Sequence, residues 1–322
     1  MIAIIMATYN GEEYLREQLD SLFQNTCQDW KLYLFDDGST DGTIEIAKTY
    51  QKAYPGRIMI RSNPKNLKSA RNFFAGFRQV WKEAPAEYYM FCDQDDCWDP
   101  DKIECSLKKL RQMEKREGKN TPLLVYTDSR LTDEDGRVTA PSFQKASRYR
   151  RILEQTSRGK KRLQRLAHLL IENTMPGCTQ MLNQALANQV FENEGFPDRL
   201  KMHDWWLGLV AAAFGEIGYL DQATMSYRQH RGNVVGGSGF ASYLKARLCA
   251  IGTLRHTIRE DIRQGKSFYQ WYGKKLEAEE RELLEAFCAL ETAGFFRRRA
   301  LLCHYHFWKS GLVRNVALFW LI

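Results

Sequence analysis

With 322 residues, 44% of them apolar and 12% aromatic, the chain is long enough for one large core and too hydrophobic to be disordered. A formal net charge of +8 and a pI of about 9.0 suit a polyanionic partner, and nucleotides, acidic lipid headgroups and nucleic acid all qualify on charge alone. No apolar run approaches the ~18 residues of a membrane span. The eight cysteines form no CxxC pair and no zinc-site spacing, so buried thiols in a reducing compartment are expected. Met1–Ala7 is apolar but lacks a charged leader and a long hydrophobic region, which reads as a core strand and not a signal peptide. A cytoplasmic protein is expected.

Ile2–Met6 suits a strand buried on both faces. Asn10 with Glu13 resembles a capping box, after which Leu15, Leu19, Leu22 and Phe23 share one helical face. Leu32–Phe35 reads as a second strand, Thr43–Tyr50 as a helix, Ile58–Ile60 as a third strand, Ala70–Trp81 as a helix and Tyr88–Phe91 as a fourth strand. This alternation predicts βαβ units in a doubly wound, mostly parallel sheet. In such sheets ligands bind outside the carboxyl ends of strands. Two acidic clusters fall there, Asp36-Asp37-Gly38-Ser39 and Asp93-Gln94-Asp95-Asp96.

A charged helix follows to about Glu117, then a strand at Leu123–Tyr126 and a hairpin turn at Asp135-Gly136 within Leu131–Val138. Residues 141–165 carry Lys145, Arg148, Arg150, Arg151, Arg158, Lys160, Lys161, Arg162 and Arg165 against the single acid Glu154, and read as a mobile basic insertion or a basic helix over the site. From about Phe240 the composition is helical to the end.

Three carboxylates within four residues, Asp93, Asp95 and Asp96, repel one another unless a cation neutralises them. Mg²⁺ and Mn²⁺ favour such ligands and share coordination with substrate phosphates. A solvated turn with helix-capping acids before Asp99-Pro100 explains the residues about equally well. In the earlier cluster a carboxylate can accept from a base N–H or ribose hydroxyls while Gly38 lets the backbone turn, although a plain strand-to-helix turn accounts for it nearly as well.

Together the clusters resemble a family. Ala7-Thr8-Tyr9-Asn10-Gly11, Asp36-Asp37-Gly38-Ser39-Thr40-Asp41 and Asp93-Gln94-Asp95-Asp96-Cys97-Trp98-Asp99-Pro100 are similar to successive signatures of family 2 glycosyltransferases. His203-Asp204-Trp205-Trp206 and Tyr227–Gly236 resemble later motifs of its rhamnosyltransferase-like branch. The resemblance implies a GT-A type domain over residues 1–236, with residues 237–322 as a C-terminal helical region, and inverting transfer from a nucleoside-diphosphate sugar. It implies base or ribose contacts from Asp37 with Asp36 beside it, Thr8 and Tyr9 along the nucleoside, and Gln94 on the nucleotide side. It also implies a DxD motif at Asp93 and Asp95 with Asp95 as principal ligand for Mg²⁺ or Mn²⁺, and Asp204 as the acid that activates the acceptor. Rhamnose as donor sugar, and a growing cell-surface polysaccharide or lipid-linked glycan as acceptor, rest on the same resemblance.

Inverting transfer needs a base on the acceptor side, and a carboxylate beside Trp205 and Trp206 would gain basicity by desolvation. The two indoles also offer a stacking surface for an acceptor sugar. A helix N-cap aspartate followed by core tryptophans is the competing expectation. His230 reads as a further metal or diphosphate contact, with Arg228 and Arg231 neutralising leaving-group charge. After Glu291 there are no acids, while Arg297, Arg298, Arg299, Lys309 and Arg314 occur among Phe295, Phe296, Phe307, Trp308, Leu318, Phe319 and Trp320. That mixture suits an interfacial helix on anionic lipid, hence a peripheral membrane protein, or a terminal helix docked on the core. A sugar nucleotidyltransferase would show a glycine-rich triphosphate loop that Ala7–Gly11 does not supply. A non-catalytic binder of nucleic acid or membrane would leave the acidic clusters without a role.

Overall fold

The structure is a computed structural model that describes residues 1–149, 160–230 and 251–322. Strand and helix alternate through its first part: β1 Ile2–Thr8, α1 Leu15–Phe23, β2 Trp30–Asp36, α2 Thr43–Ala53, β3 Ile58–Ser62, α3 Ser69–Glu83 and β4 Tyr88–Cys92. β1 pairs in parallel with β2 on one side and β4 on the other, and β3 extends β2. Along β1, Ile2, Ile4 and Met6 pack with Leu15, Leu19 and Leu22 of α1. Ala3 and Ile5 face the opposite layer, with Phe73, Phe74 and Phe77 of α3. Burial on both faces is why β1 is an unbroken apolar run.

Beyond β4 the sheet becomes mixed. β5 (Cys97–Trp98) follows the second acidic cluster, and α4 (Lys102–Glu117) leads to β6 (Leu123–Thr132), on which β7 (Val138–Ala140) folds back before the short helix α5 (Phe143–Ala146). The hairpin turn has Gly136 at φ +80°, a left-handed position that favours glycine. β8 (Gln180–Asn183) lies antiparallel between β4 and β6. β9 (Glu216–Arg228) runs parallel to β6 and pairs near its end with β5. The order is β3-β2-β1-β4-β8-β6-β9-β5, with β7 on β6. This topology brings the ends of β4, β5 and β9 into one region.

Two local expectations change. Asn10 does not cap α1, which begins only at Leu15. Its φ is +48°, and its side-chain oxygen accepts from Thr40 N at 2.8 Å, tying two loops together. The basic stretch also proves partly internal. Arg150, Arg151 and Arg158 lie outside the described residues. In α6 (Lys160–Ile171), Arg165 is buried and donates to Glu216 at 2.7 Å and to Gly215 O at 3.1 Å. Arg162 pairs with Glu280 at 3.2 Å. These two cations clasp α6 to neighbouring elements and do not form a basic surface over the site.

The remaining helices complete the core. α7 (Gln184–Phe191) and α8 (His203–Phe214) precede, among the described residues, four C-terminal helices at Ile251–Tyr272, Ala278–Ala289, Phe295–His304 and Leu312–Leu321. Leu207 and Leu209 of α8, Phe268 and Tyr272 of the first terminal helix, and Leu283, Phe287, Leu302, Phe307 and Leu318 beyond it all belong to the cluster that holds α3. The C-terminal region thus shares the core of the sheet domain, and the expected boundary at 236 lies outside the described residues. No described helix is long and apolar enough to cross a membrane. Among the described cysteines all are free thiols, and only Cys92 and Cys178 are buried.

Candidate active site

The loops after β1, β2 and β4 are tied to one another. Asp36 Oδ1 accepts from Thr8 Oγ1 at 3.0 Å and from Ser39 Oγ at 2.5 Å, and Oδ2 accepts from Gly38 N and Ser39 N at 3.1 and 2.9 Å. Asp37 accepts from Leu67 N at 2.7 Å, Lys68 N at 2.8 Å and Asn63 Nδ2 at 2.9 Å. Both acids are buried. Both bind their own loops: Asp36 accepts from four donors, whereas Asp37 Oδ2 accepts only from Lys68 N and keeps a lone pair for a further donor. Gln94 accepts from Tyr9 N at 2.8 Å and donates to Tyr9 O at 3.1 Å. Gly11 abuts the Gln94 amide so closely that any larger side chain would collide with it. Thr8 is buried in this framework, whereas the Tyr9 side chain stands exposed along the loop.

At the end of β4, carboxylates converge. Ligand atoms of Asp93, Asp96 and Cys178 lie within 4.8 Å of one another. Asp96 Oδ1 accepts from Arg228 N at 3.2 Å, while its buried Oδ2 has no hydrogen-bond partner among the described residues. Burial pushes the Asp93 carboxyl up to about 7, and the like charges of Asp95 and Asp204 add to the shift. Burial, then Asp93 and Asp95, hold Asp96 well above the ordinary carboxylate range. The buried Lys102 ammonium, which donates to Thr224 Oγ1 at 3.3 Å, is lowered to about 8 by burial. Asp95 Oδ2 stands 2.8 Å from His230 Nε2. Crowded carboxylates with an orphaned oxygen fit a divalent cation, and hard ions favour these oxygens over the Cys178 thiol. The expected ligands therefore fall into two adjacent groups, Asp93 with Asp96 and Asp95 with His230. Asp96 belongs to the acidic cluster visible in the sequence, whereas Cys178 and Lys102 are not singled out by spacing, since Cys178 arrives from β8's side and Lys102 from inside α4.

Arg228 differs from expectation. Its Nε donates to Asp95 O at 3.0 Å, one terminal nitrogen to Glu134 O at 2.8 Å and the other to Glu17 at 2.5 Å. The guanidinium is buried and fully engaged, so it braces the Asp95–Asp96 backbone and is not free to meet a diphosphate. Arg231 lies outside the described residues.

Asp204 sits in the first turn of α8, and the N-cap position belongs to Met202. Its carboxylate accepts from Gly177 N at 2.8 Å and from Trp205 N at 2.6 Å. Burial nonetheless pushes it up to about 6, against the anion-stabilising N–H groups. Trp205 and Trp206 do not form an acceptor platform. Both are buried: Trp205 Nε1 donates to Leu169 O, and Trp206 packs against Phe268 at a ring separation of 5.4 Å. α8 is buried from His203 to Ala213, which makes both indoles core. Gly177 was not singled out from sequence, although the Pro176-Gly177 turn signal was available. A Cβ there would lie 2.6 Å from His203 Nε2 and 3.2 Å from Asp204 Cβ.

Gly177→Ala is accordingly expected to displace Asp204 and slow turnover by about 10²-fold, the cost of roughly 1 Å of misplacement. Ligand binding that does not involve Asp204 should persist. Steady-state kinetics beside a thermal melt decide it, and wild-type turnover in the variant would contradict the positioning role.

Residues 3–116 match the family described as Glycosyl transferase family 2. The chain is 28% identical over 257 residues to the dTDP-rhamnosyl transferase RfbG of Shigella flexneri, covering 78% of this chain and 79% of that one. It is 32% identical over 127 residues to the putative glycosyltransferase EpsE of Bacillus subtilis, covering 39% and 44%. Among solved structures it is similar to S. aureus TarS 1–349 in complex with UDP-GlcNAc, at TM-score 0.54 and 17% identity over 93% of this chain and 83% of that one. The mannosyltransferase PcManGT of Pyrobaculum calidifontis, in complex with GDP-Man and Mn²⁺, is similar at TM-score 0.50 and 16% identity over 98% and 77%. These likenesses give the chain its GT-A fold.

Proposed function

The chain belongs to glycosyltransferase family 2, and on that premise we propose that it transfers rhamnose or a related deoxyhexose from a nucleoside diphosphate to a glycan hydroxyl, with Asp204 as base. That it is a glycosyltransferase follows from the family. The donor sugar is supported by the similarity to a dTDP-rhamnosyl transferase, and a cell-surface polysaccharide or lipid-linked glycan is the acceptor class in keeping with it.

One observation carries the assignment of the base. Asp204 is a buried carboxylate pushed up to about 6, fixed by Gly177 N at 2.8 Å and acting electrostatically on Asp93 at the end of β4. A base of that strength, beside the acids of the donor side, is suited to accept the acceptor hydroxyl's proton as the bond to the anomeric carbon forms. Asp95 and His230, with Asp93 and Asp96 beside them, would hold Mg²⁺ or Mn²⁺. When bound, such a cation neutralises charge that develops on the departing nucleoside diphosphate. Thr8, Asp36, Asp37 and Gln94 keep the nucleoside loops in shape, and Tyr9 offers the exposed ring along them.

The rival functions lose support. The first loop supplies Gly11 as a contact for Gln94 and not as part of a phosphate-binding run, which disfavours a nucleotidyltransferase. Arg162 and Arg165 point inward, which weakens a basic nucleic-acid face.

Asp95→Ala should abolish the effect of Mn²⁺ on donor affinity while the fold survives. Titration calorimetry with a nucleoside-diphosphate sugar is expected to show at least about tenfold metal enhancement in the wild type and none in the variant. Retained enhancement would remove Asp95 from the cation site. Asp204→Asn should lower transfer by at least about 10²-fold, with donor affinity nearly intact. If turnover per folded molecule stays at the wild-type level, the base lies elsewhere.

A further inference from the structure

The C-terminal segment is neither a free tail nor a wholly docked one. Leu302, Phe307 and Leu318 are in the core. Lys309 pairs with Asp261 at 3.4 Å, and Arg314 pairs with Glu172 at 3.3 Å and donates to Ser147 O at 2.9 Å. Two of the five cations expected to face lipid therefore look inward and anchor the segment, and a third, Arg299, is itself buried.

The opposite face is apolar and open. Helix Leu312–Leu321 leaves Leu312, Val316 and Trp320 exposed, one stripe at a spacing of four residues, with Leu312 at 80% and Trp320 at 62% of full exposure. Helix Phe295–His304 adds Phe296 at 85%. Arg299 joins the two helices: its guanidinium lies 3.5 Å from the Phe295 ring centroid, and Nη2 donates to Trp320 O at 3.4 Å. A docked amphipathic helix ordinarily turns polar residues outward. Here the outward face of Leu312–Leu321 carries branched and aromatic side chains, and that of Phe295–His304 carries Phe295 and Phe296.

Charge identifies the partner. Residues 292–322 contain no Asp or Glu. Lys309 and Arg314 are neutralised from the core, but Arg297, Arg298 and Arg299 pair with no carboxylate among the described residues. Arg298 and Arg299 instead donate to backbone carbonyls of Glu291 and Phe295 at 3.0 and 2.9 Å. Of the three arginines, Arg297 alone is exposed, while Arg298 is half-buried and Arg299 buried. A second copy packed isologously on this face would set the same acid-free surface against Arg297 and leave it uncompensated. An anionic bilayer surface supplies both missing halves, acyl chains for the stripe and headgroups for Arg297.

We propose that the face formed by Phe296, Leu312, Val316 and Trp320, with the exposed Arg297 cation beside it, docks the enzyme flat on an anionic lipid surface, with these side chains at the headgroup level. The proposal stands apart from the assignment of Asp204, and holds whatever the donor sugar is. Helices of ten residues, about 15 Å long, lie on a bilayer and cannot span it.

Deleting the segment would remove core residues, so substitution on the open face is the proper test. Full-length protein is sedimented with phosphatidylglycerol and with phosphatidylcholine vesicles, at low and high salt, alongside Phe296→Ser/Leu312→Ser/Trp320→Ser and Arg297→Gln. Wild type should prefer phosphatidylglycerol, and the triple variant should bind it at least about tenfold more weakly with an unchanged thermal midpoint and donor affinity. Arg297→Gln should lose about fivefold at low salt and little at high salt. Undiminished binding by the triple variant, or equal binding to both lipids, overturns the proposal. So does a wild-type dimer in light scattering that the triple variant dissolves without either protein binding vesicles, which would assign the face to a second copy.

Discussion

Carboxylate repulsion at the end of β4 is the interaction on which the site depends. Asp93, Asp95 and Asp96 follow directly from a strand buried on both faces, which carries Asp96 into the core and leaves Asp93 and Asp95 half-buried beside it. Asp204 adds to the field on Asp93 from α8. The structure bears this through few compensations: one backbone N–H from Arg228, the Lys102 ammonium, the His230 ring beside Asp95, and two N–H groups on Asp204. Asp96 keeps a buried oxygen without a partner among the described residues. Such an arrangement lowers stability in the absence of a cation and of substrate, and it is where function would be expected to oppose packing.

Much of the surrounding framework fixes these groups in place. Gln94 locks the β4 loop to the backbone of Tyr9, and Gly11 lets that contact form. Arg228, at the end of β9, reaches Asp95 O, Glu134 O and Glu17 together. The turn at Gly177 brings an N–H to Asp204 at a distance no larger residue would permit. Sheet topology makes these links possible, because β8 and β9 return from later sequence to stand near β4 and β5.

The parallel half of the sheet was legible because its strands are buried on both faces and write themselves as apolar runs, as in Ile2–Met6. β9 was not legible, since Glu216, Asp221, Gln222 and Ser226 interrupt its pattern and its register with β6 shifts near Asp128. The acids at strand ends were visible, and so was Asp204 by resemblance. Side-chain direction was not. Spacing alone does not reveal that Arg228 is enclosed, that Trp205 and Trp206 face the core, or that Asp36 is saturated by four donors. Cys178 and Gly177 became site residues only through tertiary contacts. Arg162 and Arg165 illustrate the same limit, because a basic run in sequence became two internal clasps in the fold.

The pH dependence of transfer at saturating donor and metal ion tests the role of Asp204 most directly. A base must be ionised to accept a proton, and burial sets Asp204 at about 6. A bound cation favours the ionised form of Asp93 and so moves that carboxyl below the window in which Asp204 titrates. The rate should be level above about pH 7 and should fall about tenfold per unit below pH 6. A rate that holds its plateau down to about pH 4.5 would show that the acceptor's proton goes to some other group.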